Sequence, residues 1–120
     1  LSYQQILDEV IISKSIIEDC LGKEVNSFAV PGGEVRLENL QQLSDKRLGL
    51  QEIYTSLPLQ GAYSNFTDPV CYGRLCIESY MSSESISNYC KGKGWKLKLF
   101  DYQLRRLRRE LNYKFNRMRF

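Results

Sequence analysis

The sequence predicts an α/β fold in which helices cover a parallel sheet. Helical and strand patterns alternate through the first half of the chain, and short segments containing glycine or proline connect them. Consecutive helices and strands with short connections are typical of parallel sheets wrapped by helices. The chain has 120 residues, of which 42% are hydrophobic, and this is enough to bury the core of one domain.

The first predicted element is an amphipathic helix from Tyr3 to Leu21. Ser2 is suited to the N-cap, and Gly22 followed by Lys23 is suited to a left-handed C-terminal stop. The apolar residues that recur at helical spacing, and that we expect on the inward face, are Ile6, Val10, Ile17 and Leu21, with Ile16 and Cys20 beside them.

A strand, a second helix and a second strand follow. The apolar run Val25–Val30 predicts a short buried strand, and Pro31-Gly32-Gly33 predicts a turn whose backbone amides can approach a ligand. Residues 37–48 predict an amphipathic helix that ends at Gly49, and residues 50–56 predict the next strand. The expected inward residues of this helix are Leu37, Leu40, Leu43 and Leu48. We therefore expect the two strands to be parallel neighbours joined by the helix.

The second half of the chain has weaker signals. Residues 57–72 are rich in Pro, Gly, Ser, Asn and Asp and predict a loop, and residues 73–78 predict another strand. Ser82 or Ser83 is the expected cap of a helix that runs to about Cys90, and the last helix is expected to begin behind Asp101. The expected apolar face of this last helix consists of Leu104, Leu107, Leu111, Phe115 and Met118.

The chain divides in charge at about residue 90. Residues 1–90 carry 6 basic and 12 acidic side chains, whereas residues 91–120 carry 11 basic and 2 acidic ones. We interpret residues 1–90 as the α/β body and residues 91–120 as a basic tail that meets an anionic partner. The expected contacts with a membrane or polyanion are Arg105, Arg106, Arg108 and Arg109.

The sequence leaves three roles open for this tail. Its leucine face can dock on the body and leave the arginines in solvent. Its apolar stripe among basic residues can instead lie on an anionic membrane surface. Its basic and aromatic residues can bind nucleic acid, which is the least favoured role because the chain has no nucleic-acid-binding motif.

Cysteine usage and hydropathy bear on the setting of the protein. The spacing of Cys20, Cys71, Cys76 and Cys90 favours free thiols over two disulfides, and it completes no zinc site. No apolar run reaches the roughly 18 residues that a membrane span requires. No signal peptide opens the chain, which begins with Leu1 rather than Met. We expect a true N-terminus upstream and a location in the cytoplasm or at the inner face of the membrane.

An ordered series of motifs runs through most of the chain. It comprises Leu1-Ser2, Gln5-Ile6-Leu7-Asp8-Glu9-Val10, Ser13-Lys14, Ile17-Glu18, Leu21-Gly22-Lys23-Glu24-Val25, Ser27-Phe28-Ala29-Val30-Pro31-Gly32-Gly33, Leu48-Gly49-Leu50, Tyr54-Thr55-Ser56, Gly73-Arg74-Leu75 and the arginine-rich C-terminal helix. The series resembles the C-terminal part of the polysaccharide deacetylase family, the chitooligosaccharide deacetylase homology domain. The resemblance implies a partial, distorted (β/α) barrel with a C-terminal basic amphipathic helix, within a hydrolase that removes N-acetyl groups from a carbohydrate.

The resemblance also implies a role for the loop Pro31-Gly32-Gly33. The loop resembles the family's third motif, which binds substrate, and the backbone N–H of Gly32 would lie near the developing oxyanion. Ala29 stands where the best-known version of the motif has an arginine that orients the catalytic carboxylate, and Gly32 stands where it has an aromatic residue. On local sequence alone, the same loop is an ordinary turn between a strand and a helix.

The rest of the catalytic machinery is expected outside this chain. By resemblance, the intact parent uses a divalent metal, zinc, held by one aspartate and two histidines, to activate water. A carboxylate base and a histidine acid complete the reaction. This chain contains no histidine, so we expect no catalytic residue, no metal ligand and no activity from the chain alone. The alternative is a non-catalytic binding protein that uses the basic helix at an anionic membrane surface.

Overall fold

The computed structural model describes residues 2–31 and 37–117. Within these residues it has four α-helices, one 3₁₀ turn and a four-stranded sheet. In chain order the elements are α1 (Tyr3–Leu21), β1 (Ser27–Ala29), α2 (Leu37–Leu43), the 3₁₀ turn (Lys46–Leu48), β2 (Glu52–Tyr54), β3 (Ala62–Thr67), β4 (Val70–Tyr72), α3 (Ser83–Cys90) and α4 (Trp95–Arg117).

Helix α1 has the predicted bounds and the predicted caps. The Ser2 hydroxyl accepts a hydrogen bond from the Gln5 backbone N–H at 3.3 Å, and the Ser2 N–H donates to the Gln5 side chain at 2.7 Å. This reciprocal pair is a capping box. Gly22 has a φ of 62° and ends the helix in the left-handed conformation.

The predicted inward face of α1 is correct only in its first half. Leu7 and Val10 are buried, and Lys14 donates a hydrogen bond to the Leu48 carbonyl at 3.2 Å. The inward line therefore follows residues 7, 10 and 14, which lie on one side of the helix at spacings of three and four. The predicted stripe is rotated from this line, and four of its members are exposed: Ile16, Ile17, Cys20 and Leu21.

The predicted helix over residues 37–48 is two elements. Asp45 separates α2 from the 3₁₀ turn, because its carboxylate accepts a hydrogen bond from the Arg47 backbone N–H at 2.9 Å. Gly49 ends the turn with a φ of 61°, as predicted. Leu40, Leu43 and Leu48 are buried as predicted. The side chain of Leu37 lies outside the described residues.

The sheet has the order β1-β2-β4-β3. β1 and β2 are parallel, with Ser27 opposite Glu52, and this confirms the predicted pairing of the two strands. β4 is parallel to β2 on its other side, and β3 is antiparallel to β4. The described strands form an open sheet with β1 and β3 at its ends, and the distorted barrel stays a prediction.

The prediction of a loop over residues 57–72 and a strand over residues 73–78 is wrong. The first segment contains β3 and β4, and the second has no regular structure. β4 is central in the sheet, and its Cys71 is fully buried. The polar residues of segment 57–72 belong to the exposed edge strand β3 and to the turn at Asp68-Pro69. A polar composition is also typical of loops, so it led to the wrong prediction for this hairpin.

Helix α4 begins at Trp95, earlier than the predicted start behind Asp101. The Trp95 indole N–H donates to the Tyr89 carbonyl at 2.9 Å, which fixes the start of α4 against the end of α3. Asp101 is not a cap, because it lies inside the helix and pairs with Arg105 one turn on. The cap of α3 is Ser82, one of the two residues expected, and its hydroxyl accepts from the Ser85 N–H at 3.1 Å.

One core lies between the sheet, α1 and α2. Its buried hydrophobic residues are Leu7, Val10, Leu40, Leu43, Leu48, Leu50, Ile53 and Cys71. Phe28, Val30, Tyr63 and Phe66 are partly buried and pack against this cluster. Cys20, Cys76 and Cys90 are exposed, Cys71 is buried, and these four cysteines are free thiols.

Candidate functional site

The parallel strands β1, β2 and β4 end at the same edge of the sheet. Ala29 lies opposite Tyr54, and Tyr54 lies opposite Tyr72, so the residues after these three strands are neighbours. Ligands in open α/β folds bind beside this carboxyl edge. The loop that begins at Pro31 follows β1 there, and the Val30 N–H donates to the Tyr54 carbonyl at 2.9 Å. Pro31 is exposed, whereas Gly32 and Gly33 of the predicted site lie outside the described residues.

Thr55 organises the segments that leave this edge. It is 1% exposed, and its backbone N–H donates to the Tyr72 carbonyl at 2.9 Å. Its hydroxyl shares a 2.8 Å hydrogen bond with the Tyr63 hydroxyl and accepts a 3.3 Å hydrogen bond from the Leu57 N–H. Its carbonyl accepts from Arg74 Nε at 3.1 Å. Thr55 therefore joins the segment after β2 to the segment after β4.

Gly73 permits a close approach between these two segments. A Cβ at this position would lie 2.4 Å from the Leu59 carbonyl oxygen and 2.5 Å from the Leu57 carbonyl oxygen. No side chain fits at such distances unless the backbone moves. The absence of a side chain at residue 73 thus brings Arg74 against the loop that follows β2.

A cleft of about 520 Å³ lies beside this edge. One wall consists of residues from the segments after β2 and β4, and the other wall is α4. Five basic side chains line the cleft: Arg74, Lys98, Arg105, Arg108 and Arg109. Glu78 is the acidic residue of the described lining, and Tyr80, Met81, Leu75 and Tyr102 contribute apolar surface. This cleft is the candidate functional site, and its charge suits an anionic ligand.

Helix α4 presents its basic face to the cleft and its leucine face to solvent. Lys98, Tyr102, Arg105 and Arg109 line the cleft and follow one another at spacings of four, three and four, which is one face of a helix. The exposed apolar residues of the opposite face are Leu97, Phe100, Leu104, Leu107 and Leu111. They are 40% to 75% exposed, so this described part of the leucine face does not dock on the body. The side chains of Phe115 and Met118, which were also predicted on this face, lie outside the described residues.

The four arginines predicted to contact a polyanion divide into two groups. Arg105, Arg108 and Arg109 line the cleft. Arg106 lies outside the lining and forms an ion pair with Glu110 at 3.0 Å. The prediction missed Arg74, Lys98 and Tyr102 as members of the site. The regular spacing of residues 98, 102, 105 and 109 would have indicated the last two, had the helix been started at Trp95.

Burial changes the acid–base properties of two groups beside the site. Burial raises the pKa of the Tyr63 hydroxyl, although its hydrogen bond to Thr55 acts in the opposite direction. Burial also raises the pKa of the Cys71 thiol. Both groups are therefore neutral at pH 7.

The described residues do not form the metal site that the resemblance implies. Within residues 2–31 and 37–117, no three His, Cys, Asp or Glu side chains come together as a metal-binding group. The chain also lacks histidine, which supplies two of the three expected ligands. Separately, none of the helices in the described part of the chain is both long and apolar enough to cross a membrane.

Comparison with known proteins identifies no relative. The chain matches no family model, no curated protein and no solved structure. The similarity to polysaccharide deacetylases therefore stays a hypothesis that rests on the ordered motifs of the sequence.

Proposed function

We propose that the chain is the C-terminal part of a metal-dependent carbohydrate deacetylase, to which it contributes the substrate loop Pro31-Gly32-Gly33. The observation that supports this function is the position of Pro31 two residues after the end of β1, at the carboxyl edge of a parallel sheet. Substrate loops of α/β enzymes follow the strands at this edge. If the loop that begins at Pro31 lay away from this carboxyl edge, its position would not support a role in substrate binding.

The residues beside this loop suit a carbohydrate. Tyr54 and Tyr72 end two neighbouring parallel strands, and their rings stack with centroids 5.4 Å apart. Both are half-buried, so part of each ring is open to solvent. A tyrosine has an apolar ring and a polar hydroxyl. A sugar likewise has apolar C–H faces and polar hydroxyl edges, so the ring can pack on a sugar face while the hydroxyl stays in a polar environment. The Tyr54 hydroxyl donates to Glu52 at 2.9 Å, and this hydrogen bond raises the pKa of Tyr54.

The chain's own contribution to the reaction is binding and charge stabilisation. The backbone N–H of Gly32 would donate to the oxygen of the acetyl carbonyl as negative charge develops on it, by the family resemblance. The metal, the carboxylate base and the histidine acid would come from residues outside this chain, because the described donor set does not fit the metal. The chain alone therefore has no expected turnover.

Binding of an acetylated sugar tests this function in the isolated chain. Nuclear magnetic resonance titration with triacetylchitotriose should shift the backbone amide signals of Gly32 and Gly33 and the ring signals of Tyr72. The Tyr72→Leu variant should weaken this binding, whereas Tyr113→Leu, at an exposed residue of α4, should not. Shifts confined to α4, or equal shifts with the fully deacetylated trisaccharide, would contradict the proposal.

A second candidate function is peripheral attachment to an anionic membrane through α4. The specific observation in its favour is the exposed leucine face, which a docked helix would have buried. On a helical projection Lys96 and Lys114 lie along one border of this face and Arg108 lies along the other. Each basic residue near an anionic surface contributes about 1 kcal/mol, and burial of the leucines in the headgroup region adds to this.

A further inference from the structure

The stability of the fold does not explain the cluster of basic side chains that lines the cleft. Like charges that are held together repel one another, and this repulsion opposes folding unless counter-charges offset it. Two acidic residues lie close: Glu78 in the lining, and Asp101, which pairs with Arg105 at 2.5 Å. The four basic residues Arg74, Lys98, Arg105 and Arg108 thus lie beside these two acidic ones in the described lining and next to it. Such an excess of cations around a cavity favours an anion with more than one charge.

The donor groups in the cleft are those that bind phosphate. Arg74 uses its Nε to hold the Thr55 carbonyl, which orients the guanidinium and leaves its terminal nitrogens for a ligand. Lys98 holds its ammonium 5.9 Å from the centre of the Tyr89 ring, where a cation is attracted to the aromatic face. Guanidinium groups bind phosphate oxygens in pairs, and an ammonium group binds them as a point charge.

We propose that this cleft binds a phosphorylated ligand, with its phosphate groups among Arg74, Lys98, Arg105 and Arg108 and its organic part against Tyr80 and Tyr102. The cavity volume of about 520 Å³ lies within the range of sites that enclose small organic ligands. The two tyrosines and the adjacent apolar side chains offer a surface for a sugar or a lipid glycerol group. This inference goes beyond the deacetylase function and does not depend on it.

The phosphate can belong to a soluble ester or to a lipid headgroup. The cleft face and the leucine face lie on opposite sides of α4, so a ligand in the cleft and a membrane beneath the leucines are separable by substitution. Lys98 and Arg105 line the cleft, whereas Lys93 and Arg106 lie outside the described lining. Arg105 and Arg106 each pair with an acidic residue one turn away, so they are matched. Two variants therefore lose the same charge: Lys98→Gln with Arg105→Gln as the cleft variant, and Lys93→Gln with Arg106→Gln as the control.

Calorimetric titration of the full 120-residue chain with inorganic pyrophosphate, at constant ionic strength, tests the proposal. The unmodified chain and the control should bind pyrophosphate with affinities within about threefold of each other. The cleft variant should bind at least about tenfold more weakly, because it loses two charge-assisted contacts. Thermal unfolding of all three proteins establishes that they are equally folded.

A second arm identifies the source of the phosphate. The same proteins are sedimented with vesicles of phosphatidylcholine containing one fifth phosphatidic acid, with and without pyrophosphate. Vesicle binding that pyrophosphate displaces and that the cleft variant loses supports the proposal and assigns a lipid headgroup. Pyrophosphate binding by the cleft residues without vesicle binding supports it and assigns a soluble ester. Equal losses in the cleft and control variants, or no binding of pyrophosphate by the unmodified chain, would overturn the proposal.

Discussion

Arg74 donates a hydrogen bond from Nε to the backbone carbonyl of Thr55 at 3.1 Å, and this bond connects the core to the basic cleft. Thr55 is buried beneath the sheet edge, whereas Arg74 lines the cleft. The buried partner therefore fixes the direction of a cationic group at the surface. The same region contains the carboxyl ends of β2 and β4, so changes to its packing affect both stability and the candidate site.

Replacing Thr55 by valine should destabilise the fold by about 1 to 3 kcal/mol, because the Tyr63 hydroxyl and the Leu57 N–H lose their partner. The volume of the side chain is nearly unchanged, so the loss reports the hydrogen bonds. Urea unfolding measures it. Thr67→Val, at an exposed position of β3, is the matched control and should change stability by less than about 0.5 kcal/mol. Equal stability of the two variants would contradict the role assigned to Thr55.

Replacing Gly73 by alanine should cost about 2 to 3 kcal/mol, because the new Cβ would meet the carbonyl oxygens of Leu57 and Leu59. Gly22→Ala provides a comparison in which the backbone is left-handed and nothing lies within 4 Å of the added atom. That variant should cost about 1 kcal/mol from conformational strain alone. Unfolding in urea gives both values, and a Gly73 variant no less stable than the Gly22 variant would refute the close approach.

Acid should weaken the junction between α1 and the 3₁₀ turn. The Arg47 side chain, the Tyr3 hydroxyl and the Arg47 N–H hold the pKa of Asp45 well below its ordinary value of 3.8. A depressed pKa means that the carboxylate stabilises the folded state above its unfolded pKa and loses this effect as the pH falls through its folded pKa. Part of the stability should therefore be lost as the pH falls below about 4.

The Asp45→Asn variant tests this assignment. It should be less stable than the unmodified chain at pH 7 and should lose less stability on acidification, because the titrating group is gone. Thermal unfolding between about pH 7 and pH 2 measures the two slopes. Asp19→Asn, at an exposed position of α1, should follow the unmodified chain. Parallel curves for Asp45→Asn and the unmodified chain would show that another group controls the acid response.

Replacing Leu107 by aspartate should abolish binding to anionic vesicles if α4 attaches to membranes. Leu107 is 53% exposed, so the change should leave the free energy of unfolding within about 0.5 kcal/mol of the unmodified chain. Asn112→Asp alters the charge equally on the other side of the helix and should retain binding. The measurement is sedimentation with vesicles at low and high salt. If the unmodified chain sediments equally with neutral and anionic vesicles, membrane attachment is ruled out.

Local signals in the sequence were sufficient for the elements that depend on caps and short connections. Ser2 and Gly22 cap the two ends of α1 as predicted. The short connections correctly predicted β1 and β2 as parallel neighbours. The hairpin of β3 and β4 was missed because β4 is only three residues long and owes its place to pairing with β2. Pairing between distant residues leaves little trace in local composition.

The candidate site depends on the same distant contacts. The arginines of α4 were recognised from charge, but their position opposite Arg74 follows from where the segment after β4 packs. The sequence also did not indicate which face of α4 points toward the body. An amphipathic pattern predicts an apolar face, but it does not predict whether that face packs on the body or lies in solvent. The regular spacing of Lys98 and Tyr102 with Arg105 would have extended the predicted site only if the Trp95 start had been known.

Acetate release from triacetylchitotriose, with added divalent metal, tests the proposed function most directly. It is measured side by side on the 120-residue chain and on the longer polypeptide that includes the coding sequence immediately upstream. The account predicts no turnover by the chain alone and metal-dependent turnover by the longer polypeptide, whose added residues would supply the proposed aspartate and histidine ligands. Turnover by the chain alone, or none by the longer polypeptide when it is folded and supplied with metal, would contradict the account.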